Sequence, residues 1–124
     1  MFDTLDSRSP TPLYDQIASR IRVAVAAGEL TEGDALPSVR RLAGQLRVNP
    51  ATVVQAYRTL ASDGFVEMKQ GAGTFINSVP DVRKEAERES AVQKLVQQML
   101  VDAQRLGLPR GAIIDAVKQE IGEE

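Results

Sequence analysis

Between two short amphipathic stretches, residues 39–47 and 50–63, the sequence leaves only Val48 and Asn49. Two helices joined by so tight a turn form the helix-turn-helix pattern, which leaves few folds open to the chain. In the first stretch Val39, Leu42, Ala43 and Leu46 recur at i, i+3, i+4 and i+7, with Ser38 placed to cap them. In the second, Val53, Ala56, Tyr57 and Leu60 form the apolar stripe. Asn49 is its cap, Pro50 sits in the first turn where its missing N–H costs nothing, and Gly64 is the stop.

The flanking segments complete the architecture. Upstream, Leu13, Ile17, Ile21 and Val25 recur every four residues, which predicts a helix capped by Thr11, opened by Pro12 and closed by Gly28. Residues 31–38, rich in Gly, Asp and Pro, predict a turn-rich link. Downstream, residues 65–69 and 74–76 are β-favouring runs around Gln70-Gly71-Ala72-Gly73, which predicts a small hairpin. Three helices followed by a hairpin is the winged helix-turn-helix order. Pro80 then marks a boundary. Beyond it, Val92, Leu95, Val96, Met99, Ala103 and Leu106 line one helix. Gly107 and Pro109 stop and restart the chain, and Ile113, Ile114, Val117 and Ile121 line another. The expected fold is mostly α with a small β-hairpin: an N-terminal winged helix-turn-helix over residues 1–79 and a C-terminal two-helix dimerisation tail over residues 80–124.

Composition narrows the chemistry. The chain has no Cys and no His, so it lacks a thiolate nucleophile, a zinc-finger pattern, and the commonest general base and metal ligand. The Gly71-Ala72-Gly73 turn has neither the third glycine nor the strand-to-helix setting of a dinucleotide loop. No enzyme, metal or cofactor is expected. No apolar run reaches membrane-span length and no signal peptide precedes Leu13, so a cytoplasmic protein without a membrane partner is expected. The net charge of −2 hides a segregation. Residues 35–79 carry Arg40, Arg41, Arg47, Arg58 and Lys69 against Asp63 and Glu67, a net of +3. That local excess is the electrostatic footprint a nucleic-acid site needs.

On a helical wheel the buried residues of the 50–63 stretch fall within about 100°. Ala51, Gln55, Arg58 and Ser62 lie opposite, and Thr52 flanks the first turn. Small residues near the start allow close approach to DNA, Gln can pair with an adenine edge, and Arg can bond guanine or phosphate. The N–H groups of the first turn, at the positive end of the helix dipole, suit a phosphate. At the hairpin tip, Gly71 permits close backbone approach while Lys69 and Gln70 supply polar reach.

Residues 11–76 resemble the GntR family of bacterial transcription regulators. The likeness is carried by Leu36-Pro37-Ser38-Val39-Arg40-Arg41-Leu42-Ala43 at the second helix and Val48-Asn49-Pro50-Ala51-Thr52-Val53 at the third. Leu60-Ala61-Ser62-Asp63-Gly64-Phe65-Val66 is similar to the junction into the wing, and Gly71-Ala72-Gly73-Thr74-Phe75 to the wing itself. The resemblance implies DNA contacts from Arg40, from Asn49, Ala51 and Thr52, and from Gly71; Ser38 beside Arg40 is a further candidate contact. Some members carry an Arg after the cap and another in the second turn, where this chain has Pro50 and Val54. Base reading is therefore expected to move to Gln55, Arg58 and Arg41. The short tail resembles the YtrA-like subfamily, which implies a homodimer formed through the C-terminal helices.

The expected function is that of a sequence-specific transcriptional regulator, a repressor, binding a pseudo-palindromic double-stranded DNA operator as a homodimer. A small-molecule effector stays open as a further partner, with no residue assigned to it. The alternative, motivated by the net acidic charge, is a winged-helix protein-interaction adaptor that does not bind DNA.

Overall fold

A computed structural model describes residues 5–122. The order is α1 (Leu13–Ala26), α2 (Val39–Leu46), α3 (Pro50–Ser62), β1 (Val66–Lys69), β2 (Gly73–Ile76), α4 (Asp81–Arg105) and α5 (Arg110–Ile121). The chain divides into two compact units, the first ending at Arg88 and the second beginning at Glu89. None of the described helices is long and apolar enough to cross a membrane.

In the first unit α1 packs on α3, and α3 on α2 and β1. The apolar stripes meet in one core: Ile17, Ile21 and Val25 from α1, Leu42 and Ala43 from α2, Val53, Ala56, Tyr57 and Leu60 from α3, and Phe65, Val66 and Ile76 from the wing. Burial of this apolar surface is the main favourable term in holding the unit together. A partly buried ion pair adds a polar tie from α1 to the end of α3, with Arg22 Nη2 donating to Asp63 Oδ2 at 2.6 Å. Ahead of α1, the Gln16 amide clamps the incoming chain. Its Oε1 accepts from the Asp6 N–H, and its Nε2 donates to the carbonyls of Asp6 and Thr11.

Two local expectations are corrected. Thr11 does not cap α1. The helix begins at Leu13, so Pro12, which has no side-chain acceptor, occupies the cap position and no side chain bonds there. The link between α1 and α2 is also more than turns. Residues 33–36 run beside β2: Ala35 forms an antiparallel bridge with Phe75, the Leu36 N–H donates to Thr74, and the Ile76 N–H donates to Asp34. The wing thus gains a third backbone partner, which covers the otherwise unpaired edge of β2. In the hairpin Val66, Glu67, Met68 and Lys69 pair with Ile76, Phe75, Thr74 and Gly73. The Ala72 N–H closes the turn on Lys69, and Gly71 supplies the φ of +78° that its third position takes.

The second unit holds the rest of α4, a turn in which Gly107 has φ +72°, and α5, which opens at Pro109. Ala103 is the sole buried residue of α4, and α5 has none. Of the stripe residues expected to form the dimer contact, Ala103 is buried and Met99 and Ile113 are half-buried, while the other seven are exposed. Leu95, Leu106 and Ile121 are 71%, 74% and 65% exposed.

Candidate nucleic-acid interface

The turn between α2 and α3 is made possible by one unusual residue. Arg47 ends α2 in the left-handed conformation, φ 57° and ψ 47°, and is the sole non-glycine with positive φ among the described residues. Its N–H and that of Val48 both return to the Ala43 carbonyl. The chain reverses within two residues, and Asn49 starts the next helix. A β-carbon in this conformation costs on the order of 1 kcal/mol, which packing of Leu42, Ala43 and Val53 must offset. From sequence Arg47 counts only toward the basic excess and not as a contact or turn residue, because no local pattern marks a left-handed arginine. It stands as an exposed cation in the turn.

Both caps form as the sequence predicts. Ser38 Oγ accepts from the Arg41 N–H at 3.1 Å, and Asn49 Oδ1 accepts from the Ala51 N–H at 2.9 Å. These bonds change what the helix starts can offer. Pro50 has no N–H, the Ala51 N–H is taken by the Asn49 side chain, and the Thr52 N–H by the Asn49 carbonyl. The first turn of α3 therefore has no donor spare for a phosphate, contrary to the expectation from its dipole. At α2 the helical pattern still leaves the N–H groups of Val39 and Arg40 without an intrahelical acceptor.

Tyr57 connects the two helices. Its ring is buried among core residues and its hydroxyl donates to the Pro37 carbonyl at 2.7 Å. Burial pushes the phenol pKa up to about 12, so it is a hydrogen-bond donor and not a titrating group at ordinary pH. The bond ties the middle of α3 to the residue just before the α2 cap.

The wheel division of α3 holds. Val53, Ala56, Tyr57 and Leu60 are buried, whereas Ala51, Gln55, Arg58 and Ser62 are exposed and Thr52 is half-buried. Ser38, Arg40 and Arg41 are exposed at the start of α2, and Asn49 is exposed at the start of α3. Lys69, Gln70 and Gly71 are exposed at the hairpin end, with Lys69 Nζ 5.3 Å from the centre of the Phe75 ring. That cation–π contact holds the ammonium beside the wing. Every DNA-contact residue proposed from sequence thus sits on the surface of the first unit, and all but the half-buried Thr52 are exposed. Among the described residues no group of three or more carboxylate side chains is placed to hold a metal ion.

Comparison with known proteins gives this arrangement a context. The profile of the gntR family of bacterial regulatory proteins matches residues 13–76. The chain is 31% identical over 115 residues to the HTH-type transcriptional repressor YtrA of Bacillus subtilis, covering 93% of this chain and 88% of that one. Among solved structures it resembles a GntR family transcriptional regulator from Listeria monocytogenes, with a TM-score of 0.66 and 30% identity over 92% of this chain and 97% of that one. It also resembles YtrA from Sulfolobus acidocaldarius, a GntR-family transcription factor, with a TM-score of 0.60 and 34% identity over 82% of this chain and 99% of that one.

Proposed function

Because the chain belongs to the gntR family of bacterial regulatory proteins, and is thus a DNA-binding transcriptional regulator and not an enzyme, we propose that it represses transcription as a homodimer on a pseudo-palindromic operator. The observation that carries the dimer is the uncovered tail. Nine large apolar side chains beyond Glu89 are exposed, from Val92 on α4 to Ile121 on α5. Two helices with apolar stripes and no shared core bury those stripes only against something else, and a symmetric second copy is the simplest partner. Repression is supported by the name of the Bacillus relative. Action on the chromosome places the protein in the cytoplasm.

On this reading each α3 enters a major groove, with the two grooves about one helical turn apart. Gln55, Arg58 and Arg41 read base edges, while Ala51 and Thr52 allow close approach. Ser38, Arg40 and Asn49 position the backbone, and Lys69, Gln70 and Gly71 place the wing. With the α3 donors already satisfied, phosphate binding falls to Arg40 and the free N–H groups at the start of α2.

Two measurements test this assignment once selection from a random DNA pool has supplied the operator. Gln55→Ala should cost about 1–3 kcal/mol on the selected site and less on random duplex. Equal losses on both would show that Gln55 reads no base. Arg40→Ala should reduce the slope of log affinity against log salt by about 0.9, the value for one neutralised phosphate. An unchanged slope would remove Arg40 from the phosphate contacts.

A further inference from the structure

Four of the described helices are followed by a glycine in the left-handed conformation. Gly28, Gly64, Gly107 and Gly122 close α1, α3, α4 and α5 with φ of +83°, +85°, +72° and +73°. Glycine is the default there because it has no β-carbon to clash. α2 departs from the pattern and ends on Arg47 at φ 57°. Packing of its own side chain does not explain the departure, since Arg47 is exposed. Its neighbours Leu46 and Val48 are partly buried against the core and anchor the turn from both sides. They would hold a glycine there equally well. Nor does the charge serve the fold. Among the described residues the Arg47 guanidinium has no ion-pair, hydrogen-bond or ring partner. Residues 35–62 hold Arg40, Arg41, Arg47 and Arg58 and no carboxylate. Asp63, the next acid along the chain, is bonded to Arg22. The helix-turn-helix is thus a block of positive charge with no counter-charge of its own, and its most strained residue carries one of the cations.

On the premise that α3 enters the major groove, we propose that Arg47 is a further DNA-contacting residue, a phosphate-binding cation held in the turn at a cost in stability. Backbone strain of this kind clusters where a protein meets its ligand. The ligand must be anionic, and the strand backbones that border a groove offer phosphates beside any helix lying in it. Arg47 stands two residues ahead of Asn49, the cap of α3. A guanidinium suits the task, because its planar fork donates two parallel N–H bonds to phosphate oxygens. The anchored turn fixes the backbone beforehand, so only the side chain loses freedom on binding. Arg40 lies seven residues back on α2, on the order of 10 Å along the axis at 1.5 Å per residue. The two cations therefore take separate phosphates, and their contributions to salt dependence add. The contact orients the protein and carries no sequence information.

The test uses the full chain, titrated with the selected operator and with random duplex over a range of salt concentrations, and urea denaturation of the same variants. Arg47→Gly should bind both duplexes about fivefold more weakly at roughly 0.15 M salt, with the slope of log affinity against log salt lowered by about 0.9. Its folding constant should move the other way and rise about two- to fivefold. Relief of the left-handed strain raises it, and the greater freedom of glycine in the unfolded chain offsets part of the gain. Arg47→Asn, uncharged but tolerant of the same conformation, should lose the same slope. Arg47→Lys keeps the charge and should keep the slope. An unchanged slope in Arg47→Gly overturns the assignment. If Arg40→Ala lowers the slope in the same assay, the failure is confined to Arg47; if neither does, the placement of α2 against the DNA falls with it. A loss confined to the selected operator would make Arg47 a base reader and overturn the phosphate contact. A glycine variant less stable than the wild type would show that Arg47 serves the fold, and would remove the reason to assign it elsewhere.

Discussion

On the proposed dimer, replacing Leu95 and Ile114 together by lysine is expected to give a monomer and to lower operator affinity by about 10²–10⁴-fold, the usual gain from joining two binding modules. The stability of the winged unit is expected to stay unchanged. Both side chains are largely in water in the single chain, 71% and 53% exposed, so charging them removes little burial from the isolated chain. The loss must come from association, where burying two unpaired ammonium groups per copy is prohibitive. Sedimentation equilibrium reads the oligomeric state, thermal melting reads the winged unit, and titration of operator and single half-site separates avidity from contact loss. Single half-site affinity should hold. A double variant that sediments like the wild type would show that the exposed stripes serve some other purpose.

Tyr57→Ala is expected to destabilise the first unit by about 3–5 kcal/mol, the usual cost of truncating a buried aromatic. That is a large share of the ~5–15 kcal/mol that holds a domain folded. Tyr57→Phe isolates the hydroxyl and should cost about 1 kcal/mol for the lost bond to Pro37. Urea denaturation measures both. The pH dependence gives a further check. The phenol ionises near 10 in the unfolded chain and about 12 in the folded one, because burial disfavours the phenolate. Between those values the unfolded chain binds fewer protons. The stabilisation linked to the protonated phenol is fully present below pH 10 and is lost as pH rises toward 12. Tyr57→Phe should remove that alkaline component. An alkaline stability profile identical to the wild type would mean that the ring is not held as described.

Much of the candidate interface was legible in local pattern. The four-residue stripes of α1 and α3, the two caps and the glycine at the hairpin tip are all set by neighbours a few residues away. Helical periodicity and side-chain capping act over that range, so they leave a readable trace. The division of α3 into buried and exposed faces follows from the same periodicity, and with it the surface position of Gln55 and Arg58. The left-handed Arg47 escaped because many residue types can close a two-residue turn when packing on both sides compels it.

What the sequence by itself determined was which residues form each helix, which face of it is apolar and where it starts. The tertiary structure alone decided how polar groups distant in sequence are matched. It paired residues 33–36 with β2, turning a presumed loop into an edge of the wing. It also assigned arginines that look alike in sequence to different work: Arg22 to Asp63, Arg83 to the Phe65 ring and Arg88 to the end of α1, 62 residues away. A guanidinium's partner is whichever acceptor or ring the folded chain brings within reach, and no local periodicity records that choice.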